Sequence, residues 1–571
     1  MKIKHYFGLA VIAAMTASCS SNEDLGTAGS GTGTNEAGVG YATFTINLPT
    51  TSGTRAAGDP TFEDGDANEY DVFNATLLVF KKPTTTASEG EYTYVEHVDL
   101  GSMQPWKDPS ETGVTTQAKI TAKLTNVDKS GEYFALVLLN NGSGADAKVN
   151  LPTDDTTTYS AWNKADNATN KFDKTDKGFY MANAPLYNAT DKNVTTLVAI
   201  DKNKIFPTEA QASSGDAAAD IYVERGLAKV TLTTATKDEK TVATTSSYAG
   251  DKVKISNWAL DVTNKKTFPI HNVDELGYDD IWKNEAATSG PSTQRFVDNT
   301  PGILAKRVYW GKDPNYSNST LNTDEIARAA EFNYVTANTE VTADPTKPLY
   351  CLENTFNLAN MMQGQTTRVI FKASYTPKGF TAADGKTFYK VGTSVALWKQ
   401  KDLEDHIKAA VSKVISVTTT DDITIMLDAP DNNITAAGNH EIKKSNFSVT
   451  GHTVTDAEAK AVSDKVGLTK DAGISTYADG ESYYIARIKH FGDVLTPWES
   501  GVYGTKNLEY LGRYGVLRNN WYELNVNSVS GPGYPSVPEV KPNTSDDEDD
   551  KYIKVSVKIL SWAKRSQSVD L

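Results

Sequence analysis

Residues 551–571 read KYIKVSVKILSWAKRSQSVDL, and the first half of the stretch alternates without a break. Ile553, Val555, Val557 and Ile559 interleave with Lys554, Ser556 and Lys558, the two-residue period that gives a β-strand one apolar and one polar face. The preceding stretch, SVSGPGYPSVPEVKPNTSDDEDD at 528–550, is rich in Pro and Gly and closes on five consecutive acidic residues, a composition that stays extended. A strand delivered on such a spacer has no guaranteed sheet. Alone it satisfies neither its backbone groups nor its apolar face, so it folds back on its own chain or pairs with another molecule.

The other end of the chain carries a second strand of the same kind. TFTINL at 43–48 alternates Phe44, Ile46 and Leu48 with polar residues, and the loop PTTSGTRAAGDP that follows, 49–60, contains a single arginine, Arg55. Two strands with the same apolar edge can occupy one groove in turn by adding to an exposed sheet. The first strand then reads as a placeholder and Arg55 as a protease-sensitive link, against the plainer reading of an ordinary loop arginine.

Between these ends the two-residue period recurs. KITAKLTNV (119–127) sets Ile120, Ala122 and Leu124 on one face, GLAKVTL (226–232) does so with Ala228, Val230 and Leu232, and TRVIFKASY (367–375) with Val369, Phe371 and Ala373. TLLVF (76–80) and YFALVLLNN (133–141) are continuous apolar runs, expected as central strands covered on both faces. Helical spacing is confined to two places: Leu403, Ile407, Val411 and Ile415 recur every four residues, and TDAEAKAVSDKVG (455–467) runs from a Thr cap to a Gly stop. These are expected as peripheral helices. The fold class is therefore mainly β, and 571 residues exceed what one core accommodates. The polar, aperiodic stretch at 236–250 divides two β-sandwich domains, 56–240 and 241–530, followed by a linker, 531–551, and a C-terminal strand, 552–571, which the family resemblance given below makes a donor strand.

The N-terminus sets the compartment. Lys2 and Lys4, an apolar run from Tyr6 to Met15 and the small residues Thr16, Ala17 and Ser18 form a secretory leader, 1–18, too short to span a bilayer. Those small residues stand directly before Cys19, which resembles the lipobox of bacterial lipoproteins, with lipidation at Cys19; the plainer alternative is cleavage near Ala17. Gly, Ser and Thr then supply a flexible tether, 19–40, and 41–55 holds the first strand, which the family resemblance given below makes a propeptide. Apart from Cys19 the one cysteine is Cys351, so cores rather than disulfides must hold the fold, and Cys351 reads as a small buried hydrophobe.

A net charge of -15 excludes a phosphate-binding surface, so no nucleic acid is expected as a partner. The stretch DHIKAA at 405–410 lacks the Glu and second His of a zinc helix, no nucleophile elbow or phosphate loop is present, and FEDGDANEYD (62–71) does not fit a calcium loop. No catalytic, cofactor or metal residue is singled out, and the chain is not read as an enzyme.

The stretches YADGESYYIARIKH (477–490) and GRYGVLRNNWYELNVNSVSGPGYP (512–535), with the spacer and terminal strand behind them, resemble the major shaft fimbrillins of Bacteroidales type V pili. The lipobox, SGTRAAGD (52–59), VERGLAKVTL (223–232) and LYCLENTF (349–356) extend the resemblance over nearly the whole chain, and the motif around Arg518, Asn519 and Trp521 is its most specific piece. The resemblance implies two transthyretin-like sandwiches and export as a lipoprotein to the outer membrane. It further implies cutting between Arg55 and Ala56 by a trypsin-like protease and loss of the strand holding Phe44, Ile46 and Leu48. The vacated groove is then filled by Ile553, Val555, Val557, Ile559 and Trp562 of the next subunit. Its partners are copies of itself and the anchor and tip subunits of a cell-surface fimbria that supports adhesion and biofilm formation. The competing readings are an anchored surface lipoprotein that binds glycan or another ligand, and a tip or anchor subunit of the same pilus.

Overall fold

The computed structural model describes residues 32–49, 69, 71–103, 114–128, 130–168, 172, 177–188, 193–273, 305–308, 310–317, 319–355, 360–491, 496, 510–547 and 553–561. The leader, Cys19, Arg55, Ala56 and Trp562 lie outside them.

The first sandwich is built on strands Gly40–Pro49 (β1), Ala75–Lys81 (β2), Thr93–Gly101 (β3), Val114–Leu124 (β4), Tyr133–Leu139 (β5), Met181–Asn183 (β6), Ile205–Phe206 (β7) and Ala219–Arg225 (β8). Their order is β7-β1-β8-β6-β5-β2-β3, with β4 along the other edge of β1. Strand β8 belongs to both sheets: Ala219–Tyr222 run parallel to Phe44–Asn47 of β1, then Val223–Arg225 pair antiparallel with β6. That change of partner closes the sandwich around Ala42, Phe44, Ile46, Leu77, Val79, Leu124, Val137 and Ile221. The runs expected as central strands are central. Leu77 and Val79 of β2 face this core, whereas Leu78 and Phe80 face a second cluster with Leu136, Leu138, Trp162 and Phe179, so both faces are apolar because both are covered.

After Arg225 the chain turns through Gly226 and Leu227 and resumes as Ala228–Leu232 (β9) in a different sheet. The change of sandwich therefore comes at Gly226 rather than near 240. The polar stretch at 236–250 lies inside the second set of strands, where Lys240–Thr241 (β10) pairs with Lys252–Asp261 (β11). It is polar because β10 is the exposed edge of a sheet, not because it is a linker.

One sheet of the second sandwich runs Leu349–Cys351 (β12), β9, then Asn520–Val529 and Ile553–Ser561; the other runs β10, β11, Arg368–Thr376 (β13) and Glu481–Arg487. Val230, Leu232, Leu524 and Val526 from the first meet Ile255, Trp258, Val369, Phe371 and Tyr484 from the second in one core.

Strand β13 pairs directly with Glu481–Arg487, yet residues 377–480 lie between them in the chain. This excursion contains Phe388–Val391 (β14), Leu397–Trp398 (β15), Gln400–Val414 (α1), Gly438–His440 (β16), Asp456–Val466 (α2) and Ile474–Tyr477 (β17), and it has its own core of Leu403, Ile407, Val411, Ile434, Phe447 and Val462. Both helices expected from periodicity are present. They do not sit singly on loops but pack into this unit beside a small β15-β14-β17-β16 sheet. Thr455 caps α2, its hydroxyl accepting from Glu458 N while its own N–H donates to the Glu458 carboxylate at 2.8 Å, and Gly467 ends the helix at φ +92°. The remaining labelled strands are β18 (Glu481–Arg487), β19 (Asn520–Val529) and β20 (Ile553–Ser561).

Candidate assembly site: an inserted first strand and a domain junction

Strand β1 is not an edge decoration. It lies antiparallel to β4 from Gly40↔Leu124 to Pro49↔Val114, and parallel to β8, so most of its backbone finds partners on both sides. Ala42, Phe44 and Ile46 have no solvent exposure. Burying Phe44 and Ile46 contributes about 1.5–3 kcal/mol each. The backbone of Leu48 pairs with Thr116. The opposite face of β1 is covered by a short helix, Glu209–Ser214: the Thr43 hydroxyl donates to the carbonyl of Ala212 at 2.9 Å and lies 2.7 Å from the Thr121 hydroxyl. Asn47 donates to the carbonyl of Ile221 and accepts from the Gln117 amide at 2.7 Å. Remove β1 and a slot one strand wide opens between β4 and β8, apolar on the core side and lidded by the 209–214 helix on the other.

Of the expected displaced residues, the structure thus brings Phe44 and Ile46 into the core. Of the expected donor residues, it places Ile553, Val555, Val557 and Ile559 on β20, which in the single chain folds back as the edge strand beside β19. The register runs antiparallel from Asn520↔Ser561 to Val529↔Ile553, with a shift after Val526. It sets Val555, Val557 and Ile559 opposite three buried residues of β19, Val526, Leu524 and Tyr522. The two expected fates of a strand on a spacer are therefore resolved, for the isolated chain, as folding back.

The Arg518–Asn519–Trp521 motif holds the junction between the sandwiches. Asn519 sits at φ +58°, its N–H donates to the carbonyl of Leu227 at 2.7 Å, and its side-chain oxygen accepts from Arg225 N at 3.1 Å, which clamps the link between β8 and β9. Asn tolerates this left-handed conformation better than most residues. Gly226 has no room for a larger residue, since a Cβ there would meet the Phe172 ring at 2.8 Å. Trp521 donates from its indole to the Thr231 hydroxyl at 2.7 Å, and the Lys229 ammonium lies 3.9 Å from its ring centroid.

Two ion pairs are buried at this junction. Arg518 donates twice to one oxygen of Glu353, at 2.6 and 2.9 Å, and also to the Thr267 hydroxyl. Burial alone would raise the Glu353 carboxyl, but the Arg518 guanidinium, helped by nearby His271, outweighs it and holds Glu353 below the ordinary carboxylate range. His271 in turn bonds Glu224 through Nδ1 at 3.0 Å. The second pair joins Lys229 to Glu69 at 2.6 Å, both fully or nearly fully buried, with the Tyr350 hydroxyl also on the Glu69 carboxylate and Arg225 donating to the Glu69 carbonyl. Glu69 belongs to the acidic stretch 62–71, so one carboxylate of that stretch is a structural anchor. Nothing in the local sequence marks Glu69, Glu224, His271 or Glu353 as partners; they are brought together by strand pairing across the length of the chain. Cys351, beside them on β12, is buried, and burial pushes its thiol up to about 12, consistent with a packing role.

Residues 475–568 match the family described as major fimbrial subunit protein type IV, fimbrillin, C-terminal. Among solved structures, a fimbrial assembly protein from Parabacteroides distasonis is 12% identical, with a TM-score of 0.26, over 62% of this chain and 92% of that one. No curated protein matches. The matched residues, from strand β17 to beyond the end of β20, are thus similar to the C-terminal region of the major fimbrial subunits.

Proposed function

We propose that the chain is a structural shaft subunit of a cell-surface fimbria, exported to the outer membrane as a lipoprotein on Cys19, cut after Arg55 by a trypsin-like protease, and polymerised by insertion of the C-terminal strand of one copy into the β1 slot of the next. The observation that carries this reading is the contrast between the two strand positions. In the slot a strand is paired on both backbone edges and covered on both faces; beside β19 it is paired on one edge only. Moving β20 from edge to slot adds a second ladder, at about 1 kcal/mol net per hydrogen bond. While β1 stays covalently attached, its effective concentration in the slot is millimolar or higher, and no incoming strand displaces it. Cutting the 50–68 connection at Arg55 removes that advantage. In such a fimbria the chain works with anchor and tip subunits and supports adhesion and biofilm formation.

The deciding experiment is made on surface material from native cells: the N-terminal residue by mass spectrometry, and denaturing gels run unboiled and boiled. A start at Ala56 with a high-mass ladder that collapses on boiling supports the shaft subunit. The folded-back pairing of β20 with β19 favours one alternative, an anchored surface lipoprotein closed on itself, possessing a permanent C-terminal strand. A lipidated Cys19 start with a single monomer band would establish that alternative and overturn the shaft reading.

A further inference from the structure

We infer that the β1 slot admits the strand of a second copy in one register only, with Ser556 of the incoming copy at the place of Thr43; the inference rests on the proposed donor-strand function. Parity comes first. The core side of the slot is apolar at Ala42, Phe44 and Ile46, so the incoming strand must turn its valines and isoleucines inward and its Lys554, Ser556, Lys558 face outward. The outward face is not uniform. Thr45 and Tyr41 are half-buried and Asn47 is 3% exposed; Thr43 is 2% exposed, wedged between the Ala212 carbonyl and the Thr121 hydroxyl. Of the three candidates only serine is short enough for that place and has a hydroxyl to give the Ala212 carbonyl. A shift of two residues either way sets Lys554 or Lys558 there and buries an ammonium group under the 209–214 helix, at a place where Thr43 meets the neutral Ala212 carbonyl and Thr121 hydroxyl.

The direction follows from the walls. The N–H and C=O groups of β4 and β8 that face the slot are phased for a strand antiparallel to the first and parallel to the second, as β1 is. With Ser556 at Thr43, Val555 then replaces Ala42, Val557 replaces Phe44 and Ile559 replaces Ile46. One small and one large side chain give way to two of middle size, which keeps the core volume. Lys558 falls at Thr45, between the exposed Asp220 on β8 and Lys119 on β4. Pairing begins at Lys554, because the next position outward is that of Gly40, where a Cβ would come within 2.6 Å of Ile205.

Cysteine pairs read the register directly, since Thr121 stands opposite Thr43 on β4. In the folded-back chain Ser556 is paired with Asn525 in the other sandwich, so a disulfide between positions 121 and 556 in the double variant Thr121→Cys, Ser556→Cys forms only between copies. After cleavage at Arg55 and mild oxidation this variant is expected to give a boil-resistant ladder that dissolves in reductant, while Thr121→Cys combined with Lys554→Cys or Lys558→Cys does not. Lys558→Cys with Asp220→Cys checks the direction in the same way. A boil-resistant, reductant-sensitive ladder with position 554 or 558, rather than 556, joined to position 121 would overturn the register and leave the function standing; cleaved chains that never polymerise would overturn both. Independently, Ser556→Thr is expected to polymerise like the parent and Ser556→Lys at least tenfold less, with unchanged monomer unfolding because Asn525 is half-exposed. Equal polymer yields for both variants would overturn the inference.

Discussion

Glu353 and Arg518 stand 165 residues apart in the chain and 2.6 Å apart in space, and each is almost fully buried. Breaking such a pair from one side leaves an uncompensated buried charge, so Glu353→Gln is expected to cost about 3–5 kcal/mol in denaturant unfolding. The same pair sets an acid limit. A carboxyl held below its ordinary value near 4.5 adds stability above that value and loses it as pH falls through its lower folded value. The parent should therefore lose stability steadily as pH falls below that ordinary value, and Glu353→Gln should show a shallower slope there; equal slopes in unfolding curves followed through the acid range would contradict this assignment. Arg518, Asn519 and Trp521 were legible in the sequence as a specific motif. Their partners were not, because a buried ion pair leaves no local pattern when its two halves belong to different strands.

At the scale of elements the sequence was most informative. Two-residue alternation found β4, β9, β13 and β20, continuous apolar runs found β2 and β5, four-residue spacing found α1, and a Thr cap with a Gly stop found α2. What it did not give was neighbours: that β8 and β9 part company at Gly226, or that β13 and β18 lie side by side across a long excursion, depends on pairing that no single strand encodes. Two element-scale outcomes follow. Phe44→Ala should destabilise the uncut chain by about 3–5 kcal/mol and leave the Ala56-started chain unaffected, since β1 has then departed; a difference that persists after cleavage would mean the strand stays bound. Thr455→Ala removes the cap of α2 and should cost about 1 kcal/mol, read in the unfolding of the inserted unit.

For the whole molecule, the proposed assembly makes the two ends acceptor and donor. A chain with Arg55→Ala keeps β1 in its slot but retains β20, so it can donate and cannot accept. Mixed with parent chains during assembly, it should end growth wherever it is incorporated, and fibre length in electron micrographs should fall as its fraction rises. The inserted unit has a different consequence. The chain leaves through β14 and returns through β17, which pair as a stem from Phe388↔Tyr477 to Val391↔Ile474, and Gly392 bonds back to Gly473 where the stem opens. Residues 392–473 are thus a cartridge held at a hairpin neck, with a core of their own. The ladders of β13 with β11 and with β18 form without them, so a change of sequence there, or a tight turn in their place, leaves the pairing of the second sandwich intact.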